Sequence, residues 1–454
     1  MALGRRDDER QADFWTVTAD LPRAPGHPFY EKLNELLREA DFDRWVEARC
    51  AAYYAKSGRP GIPPGVYFRM LLVGYFEGLE SQRGIAWRCA DSNSLKTFLG
   101  FPLTATTPDH SSLTKIRQRL PLAVHEEVFA FVLQIAQEKQ LLKGQLVGVD
   151  ATLLEANAAL KSIVRKDTGE DYKAYLRRLA QEAGIDDPDD DDLKKFDKQR
   201  KGKKLANAEW QSSSDPDSRV MKMKDGTTHL SYKLEHAVDL ESELLLATTV
   251  HHGDRSDPES LRETLVAAQV NLLRAGSETE LRDLAADSGY HKNETLAQCD
   301  AWGLRTYIAE KDEKRRTWLD KPEEQEQAFR ANRRRVRGKR GRRLRRLRHN
   351  LCERSFAHTC ETGAGRRSWL RGLIDVAKRS VIHGAAHNLG VLMRRLFSVG
   401  TPRGLQGGSA AGCHAQWFAI AVFLRCLNQF FIRARRTPRE TSRKTPSSPN
   451  LIAA

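Results

Sequence analysis

Paired cysteines, a long apolar run and a leader-like start are all missing from this chain of 454 residues. Its seven cysteines, at 50, 89, 299, 352, 360, 413 and 426, are odd in number, scattered and never arranged as CxxC. That pattern suits reduced thiols and excludes an evident disulfide framework. A zinc centre needs clustered ligands, and the nearest approach, HHGD at His251 to Asp254, has no second pair. The longest strongly apolar run, Ala415 to Leu424, falls well short of the roughly 20 residues a membrane-spanning helix requires. The opening MALGRRDDERQADFW has no charged segment followed by an apolar one, so export is not expected and a cytoplasmic location is.

Acidic side chains are also in deficit. Against 75 Lys plus Arg stand 60 Asp plus Glu, leaving a formal charge of +15 and a pI near 9.5. Such a balance favours polyanionic partners over neutral small molecules, nucleic acid ahead of an anionic membrane surface. The length suits two or three domains, each burying its own core.

Up to Lys143 the signals are helical. Pro63 and Pro64 precede VYFRMLLVGYFEGL, apolar on most faces, and TPDHSSLTKIRQRL offers Ser and Thr caps before a basic helix. Residues 1–143 therefore read as an all-helical N-terminal domain. Its basic helices, SQRGIAWR and LTKIRQRL, suit either a DNA groove or the solvated side of an amphipathic bundle. The texture changes at Gly144, where QLVGVDATLLEAN and HLSYKLEHAVDL read as strands, the second alternating Leu230, Tyr232, Leu234, His236 and Val238. DLESE turns into LLLATTV, SDP then caps a helix carrying Leu261, Leu265, Ala268 and Leu272, and DLAAD and RTYIAE flank another helix. Strands in series followed by strands alternating with helices give an α/β layer with a mixed sheet over residues 144–398. A long core-facing helix with Val381, Ala385, Leu389, Leu392 and Leu396 at helical spacing closes that region.

Three stretches have a different texture. Residues 158–225 alternate an acidic run, DDPDDDD, with the basic KKFDKQRKGKK, which reads as a mobile or loosely helical insertion outside the core. Residues 333–348, RRRVRGKRGRRLRRLR, hold eleven Arg or Lys among sixteen positions and no acid. Charge at that density repels itself unless phosphates neutralise it, so Arg342, Arg343, Arg345 and Arg346 are candidate nucleic-acid contacts. A solvated face is the bland alternative. Residues 399–454 turn Gly- and Ser-rich around one apolar island and read as a disordered basic tail.

Phosphoryl chemistry on a polynucleotide uses carboxylates to hold hard divalent cations. Asp150 interrupts the apolar VGVDATLL, where a buried unpaired carboxylate would be costly; the solvated side of an edge strand is its other reading. Asp287 ends DLAAD where strand gives way to turn, the place where ligands gather in open α/β sheets, although turns also recruit Asp for caps. CERSFAHTCETGAGRRSWLRG, from Cys352, sets Glu353 and Glu361 among arginines. Arg354, Arg366, Arg367 and Arg371 there suit phosphate oxygens through their guanidinium forks, or else pair with Glu361 and Asp375 on the surface.

VGVDATLLEAN, DPDSRVMKMKDG, ADSGYH and CERSFAHTCETGAGRRSWLRG, in that order and spacing, resemble the DDE transposases of bacterial insertion sequences. The arrangement is that of the IS1182 group within the IS5 and IS4-like set, and the likeness runs from about Pro28 to Phe397. The resemblance implies an RNase H-like catalytic core with a mixed sheet, preceded by the helical domain. It places the catalytic and metal-binding acids on Asp150, Asp287 and Glu353, the last on a helix it opens, holding two Mg²⁺ or Mn²⁺ ions. The implied reaction nicks double-stranded DNA at the element's terminal inverted repeats and transfers the freed 3′-hydroxyl to target DNA without a covalent protein intermediate. A homodimer or larger assembly on DNA is expected, because two ends are handled together, and no membrane partner. Many IS4-like relatives carry an Arg four residues before the Glu and a Lys seven after. His349 and Cys360 stand there instead, so those two phosphate ligands are not carried over. Two rivals share the same surface: an inactive or domesticated DNA-binding protein, and an RNase H-like nuclease without strand transfer.

Overall fold

A computed structural model describes residues 26–58, 61–200, 206–223, 225–311 and 317–405. The chain divides into two units, Met1–Pro402 and Arg403–Ala454, and the expected tail lies, from residue 406, outside the described residues. Seven helices come first: α1 (Pro28–Glu39), α2 (Phe42–Cys50), α3 (Pro64–Glu77), α4 (Gln82–Asp91), α5 (Asn93–Phe98), α6 (His110–Arg119) and α7 (Leu122–Glu138). Pro64 opens α3, where a missing N–H costs nothing, and almost every residue of that helix is buried. The cap of α6 is Asp109, whose carboxylate accepts from the Ser112 N–H, in place of the Ser and Thr that the sequence offers for that role.

The chain then builds β1 (Leu146–Glu155), β2 (Ile163–Arg165), α8 (Tyr172–Glu182), α9 (Asp190–Gln199), β3 (Trp210–Ser212), β4 (Arg219–Lys222), β5 (Thr228–Asp239) and β6 (Leu245–His252). After these come α10 (Asp257–Arg274), β7 (Asp283–Ala286), α11 (Asn293–Ala301), β8 (Arg305–Ile308), α12 (Glu323–Arg337), α13 (Lys339–Phe356) and α14 (Leu373–Phe397). The main sheet has six strands in the order β4-β5-β1-β7-β8, with β6 beside β4 on the outer edge of β5. β5 runs antiparallel to β1 on one side and to β4 and β6 on the other, whereas β7 and β8 run parallel to β1. β5 is buried on both faces from Leu230 onward, so Lys233, Glu235 and Asp239 are as enclosed as the alternating apolar set read from the sequence, whereas β1 is buried on both faces only from Leu146 to Val149.

Both outer edges of the sheet are met by side chains. On β8, Asn332 accepts from the Ile308 N–H at 3.0 Å and donates to its carbonyl at 2.8 Å, while Arg335 donates to the Thr306 carbonyl. On β6, Asn388 accepts from the Leu245 N–H at 2.7 Å and donates to its carbonyl at 2.9 Å, and Asn271 donates to the Leu246 carbonyl.

Helix α14 is buried along most of its length and packs against α7, α3 and β6, which welds the N-terminal helices to the sheet. Val381, Ala385, Leu389 and Leu392 face inward as their spacing predicts; Leu396 is part-exposed. The insertion is more ordered than its charge pattern suggests. Ile163 and Trp210 enter the central core beside Leu154 and Tyr232, and β4 extends the sheet. The acidic run supplies the cap and first turn of α9, where Asp189 accepts from two backbone N–H groups and the helix dipole favours negative charge. Its neighbours pair with Lys173, Lys194 and Lys195. Local pairing of opposite blocks therefore replaces the expected looseness. No helix among the described residues is long and apolar enough to cross a membrane.

Where α7 meets α3, His125 bonds the Tyr67 hydroxyl at 3.1 Å and the Pro121 carbonyl at 3.0 Å. Burial holds this histidine at about 4 and His387 on α14 at about 3. The unfolded chain protonates both near 6.5, so only the unfolded state gains protons as pH falls. Stability is therefore full above about 6.5 and declines on acidification toward 4, by up to about 1.4 kcal/mol per histidine per pH unit. The thermal midpoint should drop between pH 7 and pH 5, and His125→Gln should reduce that dependence; a flat profile would contradict the buried neutral state.

Candidate active site

β1 and β7 are paired only at their beginnings, Leu146 with Asp283, Val147 with Leu284 and Gly148 with Ala285. Continuing that parallel register brings Asp150, midway along β1, level with Asp287, just past the carboxyl end of β7. Beyond Gly148, β1 keeps its β5 neighbour but, among the described residues, has no strand on the other side until Glu155. There the Arg366–Ser368 backbone runs alongside, accepting from the Glu155 N–H at 3.0 Å and donating from Ser368 at 2.8 Å. The interrupted stretch borders a cleft of about 680 Å³ lined by Ala151, Thr152, Lys233, Asp257, Gly289 and Arg366, among others.

Asp150 sits in the middle of the sheet, not on an edge. Its Oδ2 accepts from Arg348 Nη1 at 2.7 Å and its Oδ1 from the Ala151 N–H at 2.9 Å. Asp287 accepts from the Gly289 N–H at 2.7 Å and caps the short turn Ser288–Tyr290. A Cβ on Gly289 would lie 2.2 Å from Asp257 Oδ2 and 2.9 Å from Asp287 Oδ1, so glycine is what lets these two carboxylates crowd one space. From the sequence, Asp257 reads only as part of a helix cap. Nothing in SDPES distinguishes a first-turn Asp that faces a cleft from one that faces water.

Behind the cleft lies a polar network that strand periodicity does not reveal. Lys233 Nζ reaches Asp257 Oδ1 at 2.6 Å and Ser260 Oγ at 2.8 Å. The Glu235 carboxylate is fully buried and accepts from Ser260 at 2.8 Å, from the Tyr290 hydroxyl at 2.7 Å and from Thr264. Burial pushes its carboxyl above the usual range, against the lowering pull of those donors. Burial first, and then the Glu235 charge, raise the Tyr290 phenol well above its usual value. The network therefore anchors Tyr290, and through it the turn that begins at Asp287.

Glu353 is placed differently from the expectation. It does not open a helix; it lies in the last turn of α13, which begins at Lys339. Arginine and leucine are good helix formers, and no proline interrupts the segment, so the basic run is itself the helix. The inward stripe of α13 is Gly341, Leu344, Arg348, Cys352 and Ser355. Glu353 falls one residue off that stripe, 63% exposed, with its carboxylate 3.2 Å from His349. Hard divalent cations take carboxylate oxygens, and Asp150 with Asp287 fit that requirement. Glu353 does not complete it here: among the described residues no three His, Cys, Asp or Glu side chains stand close enough to form a ligand set.

The arginines divide into two groups. Arg333 forks onto Glu310 at 2.6 Å, Arg340 meets Asp283 at 2.8 Å, and Arg348 holds Asp150. Arg342, Arg343, Arg345 and Arg346 point outward, with no acidic partner among the described residues. Around the second acid, Glu361 pairs with Arg366, the surface alternative considered for it. Arg354 meets Glu243 at 2.9 Å, Arg367 lies 3.7 Å from Glu155, and Arg371 donates to the Asn157 carbonyl at 3.1 Å. Asp375 pairs with Arg117, not with these arginines.

Residues 149–389 match the family model described as Transposase DDE domain, and residues 19–119 match Transposase domain (DUF772). No curated protein and no solved structure matches the chain. The buried network gives a test independent of any activity. Tyr290→Phe removes one donor from a buried carboxylate and should lower the unfolding free energy by about 2 kcal/mol in a urea titration, whereas an unchanged midpoint would show that Glu235 does not depend on it.

Proposed function

The chain belongs to the transposase DDE domain family, and from that premise we propose that it nicks double-stranded DNA at the ends of an insertion sequence and joins the freed ends to a target. The observation that supports the reading is the register of β1 and β7, which, continued two residues past Gly148, sets Asp150 level with Asp287 beside a cleft lined by Ala151, Asp257 and Gly289. Those two would hold the divalent ions, Mg²⁺ or Mn²⁺ and two in number, with Glu353 as the third acid. When bound, such ions lower the pKa of water and neutralise charge on the transferring phosphoryl group.

The chain's own residues supply position and charge. Asp287 is fixed by its cap to Gly289, and the turn behind it by the Tyr290–Glu235 bond. The outward arginines of α13 offer a row of cations along the helix that carries Glu353. In the first step water attacks phosphorus and the bridging 3′-oxygen leaves as a hydroxyl. In the second, that hydroxyl attacks a target phosphodiester and displaces its 3′-oxygen. Both are exchanges at phosphorus and require no protein nucleophile. The helical region, matched over residues 19–119, is the proposed reader of the terminal repeats, with a dimer holding two ends.

One observation favours the DNA-binding rival: Arg348 rests on Asp150 while Glu353 faces outward. A single assay separates the readings. With Mg²⁺ and a labelled duplex bearing the element's end, the wild type should nick and join. Asp150→Asn, Asp287→Asn and Glu353→Gln should each lose at least about 100-fold in rate, since each withdraws charge from the metal site. Binding without cleavage would favour the inactive protein, and nicking without joining the nuclease. Replacing Arg342, Arg343, Arg345 and Arg346 with Ala should flatten the salt dependence of DNA binding by about 0.9 in log slope for each phosphate that is no longer neutralised.

A further inference from the structure

Arg348 is built into the site more firmly than a surface counter-ion. Its side chain is 13% exposed, against 21% for Asp150. Its stem lies against the backbone of β1, where a Cβ added at Gly148 would come within 3.2 Å of Arg348 Cγ. One nitrogen, Nε, is buried without a hydrogen-bond partner among the described residues. A buried donor left unmatched is costly, so the pocket does not fully satisfy the guanidinium, which bonds the Asp150 carboxylate through Nη1.

The helix phase adds a second constraint. Arg348 and Glu353 are five residues apart on α13, which turns them roughly 140° from each other about the helix axis. In this arrangement Arg348 faces Asp150 and Glu353 does not. Cys352, one turn beyond Arg348, is buried on the Asp150 side, while Glu353 stays exposed beside His349. The face of α13 presented to Asp150 is therefore the arginine face.

We propose that Arg348 is the resting occupant of the cation position on Asp150, a positioning residue that a divalent ion must displace before the carboxylate can serve as a ligand. The proposal rests on the reading that Asp150 and Asp287 take such an ion. Arg348 thereby sets the affinity of the free protein for metal. It places a positive charge against that carboxylate within the sheet until the ion arrives.

The test measures Mn²⁺ binding to the full-length protein without DNA, through loss of the free ion's electron paramagnetic resonance signal. Arg348→Gln, which keeps length and hydrogen bonding, and Arg348→Ala should both bind Mn²⁺ roughly tenfold more tightly than wild type, as removal of a semi-buried competing ion pair implies. Arg346→Gln, which removes the same charge from an exposed position of the same helix, should leave the affinity within about twofold. Binding no tighter in the Arg348 variants, or equally tightened by Arg346→Gln, overturns the proposal: the first outcome makes Arg348 merely structural and the second makes the effect one of bulk charge. Asp150→Asn in the Arg348→Gln background tests the underlying reading separately. If Mn²⁺ affinity does not fall there, Asp150 is not a metal ligand, whatever Arg348 does.

Discussion

β1 has one complete neighbour and one broken one. β5 accompanies it from Val147 to Glu155, but on the opposite side β7 leaves after Gly148 and another backbone returns only at Glu155. An extended strand in mid-sheet must satisfy its backbone groups on both sides or open them to water. Here the opening is the cleft. It exists because β7 ends in a capped turn at Asp287 and because the Gly-containing link after α13 brings Arg366 alongside only farther on. Every candidate residue of the site is defined relative to that break: Asp150 at its lower end, Asp287 across from it, Arg366 above it.

Such an opening would weaken a sheet were it not braced from behind. One brace is polar. Lys233 and Glu235 project from β5 beneath α10 and tie Asp257, Ser260, Thr264 and Tyr290 together. The other is apolar: α14, lying between the N-terminal helices and β6, is buried almost throughout. The two differ in what they tolerate. An apolar face accepts volume-conserving change, but a buried charged network fails when one partner goes. Specificity of geometry at the cleft thus falls to the polar brace and bulk stability to the helix.

Much of this is legible in the sequence, for physical reasons that also mark where legibility stops. The strands declare themselves through apolar runs and alternation, and Asp150 stands out because an acid in such a run needs a partner. That the partner is Arg348 cannot be read, since a basic run shows charge density but not which side of its helix faces in. The same blindness to phase puts Glu353 at a helix start when it closes one. It also groups eleven cations that the fold divides into inward pairs and an outward row. In the insertion, opposite charges in blocks suggest looseness. Yet a helix cap and a few local ion pairs order it, and Trp210 and Ile163 anchor it in the core. Asp257 escapes sequence reading because its convergence upon Asp287 depends on Gly289, an approach between separate elements that no local pattern encodes.

The asparagines at the margins of the sheet have a consequence of their own. Asn332 and Asn388 each offer a carboxamide that imitates a neighbouring peptide, giving the outer residue of β8 or β6 one acceptor and one donor. An amide already matched in this way has nothing to offer an incoming strand. Growth of the sheet from copy to copy is thereby opposed at both of these positions. The molecule keeps these two margins of its sheet to itself.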